Sequence, residues 1–397
     1  MKKKRIYLDY ASTTPVDPRV FDYMKKYFFQ KFGNPMSLHS FGREADEAIE
    51  TARKQAADFF GCEKDEIIFT SGATESNNLA VKGTAIADSL RTKGSPRPHI
   101  ITTSIEHSCI LSACQALADR GMAEITYLPV GSDGLVRAID IEKSLKPNTL
   151  LVSIMYVNNE IGTIQPIREV GKIIEKANKN RDRKIIFHTD ATQAISYLDC
   201  RIENLGVDLL SMSAHKIYGP KGIGCLFIKK GTPIKRIQDG GGQEFNFRSG
   251  THNVPAIAGL GKALELVETE RKKVYKMVEK LRDYMISRIM KEVSGVKLNG
   301  SKIKRSPNNA NFAFKDVEGE GLLLGLDLEG VAVSTGSACS SGDLRPSHVL
   351  AAIGLSDEES HGSMRITLGK YTTKQEIEYF INALKNTVSR LRKIAGK

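Results

Sequence analysis

Between residues 15 and 261 seven short apolar runs recur, at 67–70, 99–103, 125–129, 150–155, 184–188, 209–213 and 224–228, with helix-length stretches between them. A strand that is apolar throughout needs cover on both faces, and strands joined through helices run parallel. The pattern therefore predicts an α/β architecture: a large domain at 15–261 on a mostly parallel seven-stranded sheet. Residues 262–397 open with long helical periodicity, pass through strand-like 309–314 and 364–368, and close on a helix from Lys374. Together with the arm 1–14 they are expected to form a smaller α+β domain.

With 397 residues, 41% of them hydrophobic, the chain has material for a large core. No run approaches the roughly 18 apolar residues of a membrane-spanning helix, so no membrane association is expected. The basic start, Met1 to Arg5, meets Asp9 rather than the apolar stretch of a signal peptide, and a cytoplasmic location is expected. Six cysteines lie scattered without a C-x-x-C pair, which favours reduced thiols. His107, Cys109 and Cys114 do not complete a tetrahedral ligand set, so no metal site is expected.

The formal charge of +12 is concentrated at 271–305, where twelve Lys and Arg face three Asp and Glu. Val274, Val278, Leu281, Met285 and Ile289 recur there at helical spacing, which puts the basic residues on the solvated side of an amphipathic helix. The plain reading is a soluble helix face; the sharper one is a docking surface for an acidic protein or RNA phosphates. No nucleic-acid motif accompanies it, and direct nucleic-acid binding is not expected.

Three motifs sit where the predicted strands end. Thr70-Ser-Gly-Ala-Thr-Glu-Ser-Asn-Asn78 opens a helix with small and hydroxyl residues, which suits a phosphate or simply caps the helix. His188-Thr-Asp-Ala-Thr-Gln193 places Asp190 at the mouth of the sheet, either as a cap or as a partner for a pyridinium nitrogen. Ser211-Met-Ser-Ala-His-Lys-Ile-Tyr-Gly-Pro-Lys-Gly222 brings Lys216 into the same crevice, where a desolvated amine serves Schiff-base chemistry; in isolation it reads as a surface lysine.

In this order the motifs resemble the fold-type I pyridoxal-phosphate enzymes of the class V aminotransferase branch. Val157-Asn-Asn-Glu-Ile-Gly162, Arg248-Ser-Gly-Thr251 and Ser334-Thr-Gly-Ser-Ala-Cys-Ser-Ser341 narrow the resemblance to the NifS/IscS-like cysteine desulfurases, from Tyr7 to the last helix. The resemblance implies that Lys216 carries pyridoxal 5′-phosphate as a Schiff base, that Asp190 pairs with its ring nitrogen, and that His107 stacks on the ring and shuttles protons. Gln193 and Asn159 are to bond the ring's phenolic oxygen and the substrate. Ala73, Thr74, Ser213 and His215 are to hold the phosphate, with Thr251 reaching in from the neighbouring subunit of a homodimer. Arg365 is to clamp the substrate carboxylate.

Cys339, in a small-residue loop 337–342 of the smaller domain, is the implied nucleophile. It takes sulfur from L-cysteine, leaving L-alanine and a persulfide for acceptors in iron–sulfur assembly or tRNA thiolation. The short finish at 391–397 puts scaffold partnership in doubt. The rival readings are a selenocysteine lyase, another class V activity such as transamination, or a catalytically silent basic scaffold of the same fold.

Overall fold

The computed structural model describes residues 5–91, 96–335 and 346–397; the expected Cys339 nucleophile and its loop at 337–342 lie outside the described residues. Among the described residues twelve strands occur in chain order: β1 (Ile6–Tyr7), β2 (Ile67–Thr70), β3 (His99–Thr103), β4 (Glu124–Leu128), β5 (Thr149–Ser153), β6 (Ile186–Asp190), β7 (Leu209–Ser213), β8 (Gly224–Ile228), β9 (Val296–Leu298), β10 (Asn309–Phe314), β11 (Val331–Ala332) and β12 (Ser363–Thr367). β2 to β8 form one seven-stranded sheet in the order β2-β8-β7-β6-β5-β3-β4. β8 pairs antiparallel with both β2 and β7, and the other pairs of this sheet are parallel.

Successive residues of a strand face opposite sides, so continuous apolar runs feed two cores. Ile67, Phe69, Val152, Phe187 and Leu210 pack on one face against the helices Ser40–Phe60, Ile167–Asn178 and the first half of Val254–Glu292. Ile68, Leu151, Ile186 and Leu209 pack on the other, against Ala73–Arg91 and Ser108–Asp119. A third core joins Ile6 and Leu8 to residues 278–388, on the antiparallel sheet β12-β10-β9 and the helix Lys374–Ile394. There β1 pairs with β11, so the N-terminal arm is threaded into the C-terminal part of the chain.

Several strand limits shift by one or two residues from expectation, and two boundaries differ for a clear physical reason. The long helix starts at Val254 behind the Asn253 cap, with proline in its first turn, and crosses 261/262 without interruption. Its N-terminal residues are buried against the first core and Val278, Met285 and Ile289 against the third, so one rod of 39 residues, about 58 Å long, serves both. β6 ends at Asp190 rather than His188 because polar residues continue it: His188 bonds Ser153 Oγ and Ser211 Oγ, and Thr189 donates to the Ile154 carbonyl. In the basic segment Lys272, Lys273, Lys276, Lys280 and Lys291 lie exposed, whereas Arg282 and Arg305 turn inward to backbone carbonyls. No helix among the described residues is long and apolar enough to cross a membrane.

Candidate active site

A crevice of about 620 Å³ opens at the carboxyl ends of β2, β3, β5, β6 and β7. Of the site residues singled out above, all the described ones line it except Thr251, which is exposed elsewhere on the surface. Open α/β sheets bind ligands at this edge because loops and helix N-termini converge there.

Asp190, the last residue of β6, is buried, and its Oδ1 accepts the Thr192 N–H at 2.9 Å while Oδ2 accepts Asn77 Nδ2 at 2.7 Å. No Lys, Arg or His among the described residues forms an ion pair with it. Lys216 ends the short turn Ala214–Lys216 that follows β7, and its Nζ donates to the carbonyls of Ala11 at 2.5 Å and Ser12 at 2.6 Å. The N-terminal arm thus supplies one wall, pinned by Thr14, which donates to the His215 carbonyl and accepts from the Tyr218 N–H. Tyr218 sits at φ 64°, a left-handed conformation costly for a bulky residue, and its burial holds the turn beyond Lys216.

The helix Ala73–Arg91 aims its N-terminus at the crevice, where first-turn amides lack partners within the helix. Gly72, with φ 151°, admits the chain there, and a Cβ on it would lie 3.6 Å from Ser213 Oγ. Glu75 ties the turn, accepting from Ser71 N–H at 2.7 Å and from Arg248 Nε at 2.9 Å. His215 Nδ1 contacts Thr13 Oγ1, and burial, reinforced by the charges of Lys216 and Lys221, pushes its pKa down to about 4.

His107 caps the helix Ser108–Asp119, its Nδ1 accepting the Cys109 N–H at 3.2 Å. Gln193 Nε2 donates to the Ala11 carbonyl. Arg365, only 3% exposed, donates from Nη1 to the Asn159 carbonyl and from Nη2 to Asp9 Oδ1 and Ser12 Oγ. Its Nε and the Thr192 Oγ1 are buried without a hydrogen-bond partner among the described residues, so the crevice has unspent polar capacity for a ligand.

Asn77 and Cys109 were not singled out as site residues, yet both belong to this constellation. Asn77 stands one helical turn beyond Ala73 and shares its face, a spacing that would have revealed it. Nothing in the sequence brings Cys109 to Asn77; only the fold does. Among the described residues Cys62, Cys109, Cys114, Cys200 and Cys225 are free thiols, and no group of three His, Cys, Asp or Glu is placed to hold a metal ion.

The family profile described as Aminotransferase class-V matches residues 6–380. A protein of Dictyoglomus turgidum named Cysteine desulfurase IscS is 52% identical over 393 residues, 99% of this chain and 97% of that one. Among solved structures, a NifS-like protein superposes with a TM-score of 0.89 at 38% identity, covering 98% of this chain and 100% of the other. SspA in complex with cysteine gives a TM-score of 0.80 at 37% identity, covering 93% and 100%. Likeness of this order spans the sheets, the N-terminal arm and the crevice alike. The chain belongs to the class V aminotransferase family and, within it, to the cysteine desulfurases.

Proposed function

We propose that this cysteine desulfurase holds pyridoxal 5′-phosphate in the crevice and passes the sulfur of L-cysteine to Cys339. The observation that carries the reading is a buried carboxylate, Asp190, with no basic partner among the described residues, in the same crevice as the amine of Lys216. A protonated ring nitrogen completes the one and a carbonyl carbon the other. The volume suits a cofactor-sized ligand, and the helix N-terminus at Ala73 and Thr74, with Ser213 and His215, supplies donors for a phosphate.

When bound, the cofactor supplies an electron sink for charge developing on the substrate's α-carbon. Asp190 would hold the proton of the ring nitrogen, and His107 would lie against the ring. Lys216 would be the covalent tether and, when not tethered, its amine would be the base for the substrate's α-proton. Arg365 and Asn159 orient the substrate through its carboxylate, fixing which bond is loosened. The substrate's Cβ–S bond then breaks with its electron pair on carbon, where a proton completes the methyl group of alanine. The sulfur joins the Cys339 thiolate as a persulfide, so cysteine plus thiol gives alanine plus persulfide without an external oxidant.

The same proposal includes a homodimer and a cytoplasmic setting in which acceptor proteins, of iron–sulfur assembly or of tRNA thiolation, collect the sulfur. Phe28, Phe29 (82% exposed), Phe32, Met36, Leu38 (92%) and Phe41 form an apolar surface that a second copy would cover, and Thr251 is exposed and available to a neighbour.

The test is incubation of the purified chain with pyridoxal phosphate and L-cysteine, followed by alanine assay and intact-mass and peptide analysis. The expected result is stoichiometric alanine and one added sulfur on Cys339. A keto acid in place of alanine would establish transamination, and turnover of selenocysteine with rejection of cysteine would establish a lyase.

A further inference from the structure

A hydrogen-bond chain with one consistent polarity runs from Asp190 to His107. Asn77 is fully buried, its Nδ2 lying 2.7 Å from Asp190 Oδ2 and 3.1 Å from Cys109 Sγ. A carboxylate only accepts, so the amide must turn its nitrogen toward Asp190. One amide hydrogen goes to the carboxylate and the other to the sulfur. Cys109 Sγ therefore accepts, which leaves its own hydrogen for its other neighbour, His107 Nδ1, at 3.0 Å. The backbone N–H of Cys109 approaches the same nitrogen at 3.2 Å. Two donors converge on Nδ1, which has no room for a hydrogen of its own.

We propose that Cys109 is a positioning residue whose thiol, aimed by Asn77, holds His107 as the neutral imidazole with its hydrogen on Nε2. The titratable groups around the ring agree with that polarity. Burial is the largest influence lowering the His107 pKa; Asp190 opposes it, while Lys216 and His348 reinforce it. Glu106, the preceding residue, is held protonated by burial, and its backbone carbonyl is bonded to His348 Nε2. Burial and then the Asp190 charge push the Cys109 thiol up to about 12, so it keeps the hydrogen it gives to Nδ1.

The ring thus offers the crevice an N–H and no lone pair. Nε2 cannot take a proton from the substrate, which leaves that task to Lys216. This catalytic consequence rests on the reading that His107 faces the cofactor; the placement of the hydrogen does not.

The experiment is nitrogen-15 NMR of histidine-labelled full-length protein, with and without pyridoxal phosphate, the His107 signals being assigned by their loss in His107→Gln. The expected result is a protonated Nε2 and bare Nδ1 across the neutral range. Cys109→Ala removes one donor and raises the midpoint of imidazolium formation by roughly one pH unit, Cys109→Ser returns it toward the original, and the acid limb of kcat/KM moves with it. A hydrogen on Nδ1 in the unaltered protein, or an unchanged midpoint in Cys109→Ala, overturns the proposal. The expected tautomer in a protein that makes no alanine would sink the desulfurase reading and leave this one standing.

Discussion

Arg365 Nη2 donates to Asp9 Oδ1 at 2.8 Å, so the residue proposed to clamp the substrate is itself clamped by the N-terminal arm. The guanidinium also spans Ser12 Oγ and the Asn159 carbonyl, and its fork geometry is what allows three partners at once. A lysine is a single point charge and cannot hold the arm and a carboxylate together. Arg365→Lys is therefore expected to raise KM for L-cysteine about 10- to 100-fold with a smaller change in kcat, the signature of lost uniform binding. Steady-state alanine formation checks it; an unchanged KM with reduced kcat would assign Arg365 to the arm rather than to the substrate.

Lys216→Ala and Cys339→Ser separate tethering from sulfur capture. The first is expected to leave no covalent cofactor and no turnover. The second is expected to stay yellow and bind cysteine, yet to release almost no sulfide or persulfide. Absorbance spectra and persulfide labelling distinguish the two, and full turnover by the serine variant would remove Cys339 from the mechanism.

The large sheet was legible because its strands are apolar on both faces, as Ile67, Ile68 and Phe69 illustrate by feeding two cores in turn. The crevice was legible because Asp190 and Lys216 stand at strand ends, where the chain must turn toward the ligand edge. β1 and β11 were not: two residues each, Ile6–Tyr7 and Val331–Ala332, carry no periodicity, and their pairing joins segments far apart in sequence. The same distance hides the bond from Asn77 to Cys109 and the wall that Ala11 and Ser12 build around Lys216. Local pattern predicts elements; partners brought together by tertiary folding leave no trace in it.

Glu106 is a buried acid whose pKa burial raises to about 8, although it accepts from the Met155 N–H and from Thr103 Oγ1. The folded chain keeps a proton there that the unfolded chain releases near pH 4.5, so this group makes stability fall as pH rises until the folded group ionises. Glu106→Gln mimics the protonated form. It is expected to stay within about 1 kcal/mol of the original at acidic pH, where both are neutral, and to lose less stability between neutral and mildly alkaline pH. Urea unfolding at fixed protein concentration across that range checks both.

Glu244, Phe245 and Asn246 occupy left-handed conformations in succession, with φ of 46°, 52° and 67°, shortly before Thr251. No glycine relieves them, so the surroundings must hold the turn. Glu244 does so by pairing in bidentate fashion with buried Arg53, at 2.8 and 3.0 Å, and by accepting from His252 Nε2 and the Phe69 N–H. The Arg53 guanidinium is stacked between Phe69 and Phe245, 4.9 Å from each ring. Removing one partner strands a buried charge, so Glu244→Ala is expected to cost about 3–5 kcal/mol in unfolding free energy. Burial raises the Glu244 pKa, but the bonds from His252 and Arg53 outweigh it and leave the folded value below the ordinary one. The pair's contribution is therefore full above the ordinary carboxylate pKa of 4.5 and is lost as pH falls through the folded value. Glu244→Gln should be less stable than the original at neutral pH and converge on it in acid. Unfolding midpoints from neutral to acidic pH test this, and two parallel curves would mean that the ionised pair adds nothing to the turn.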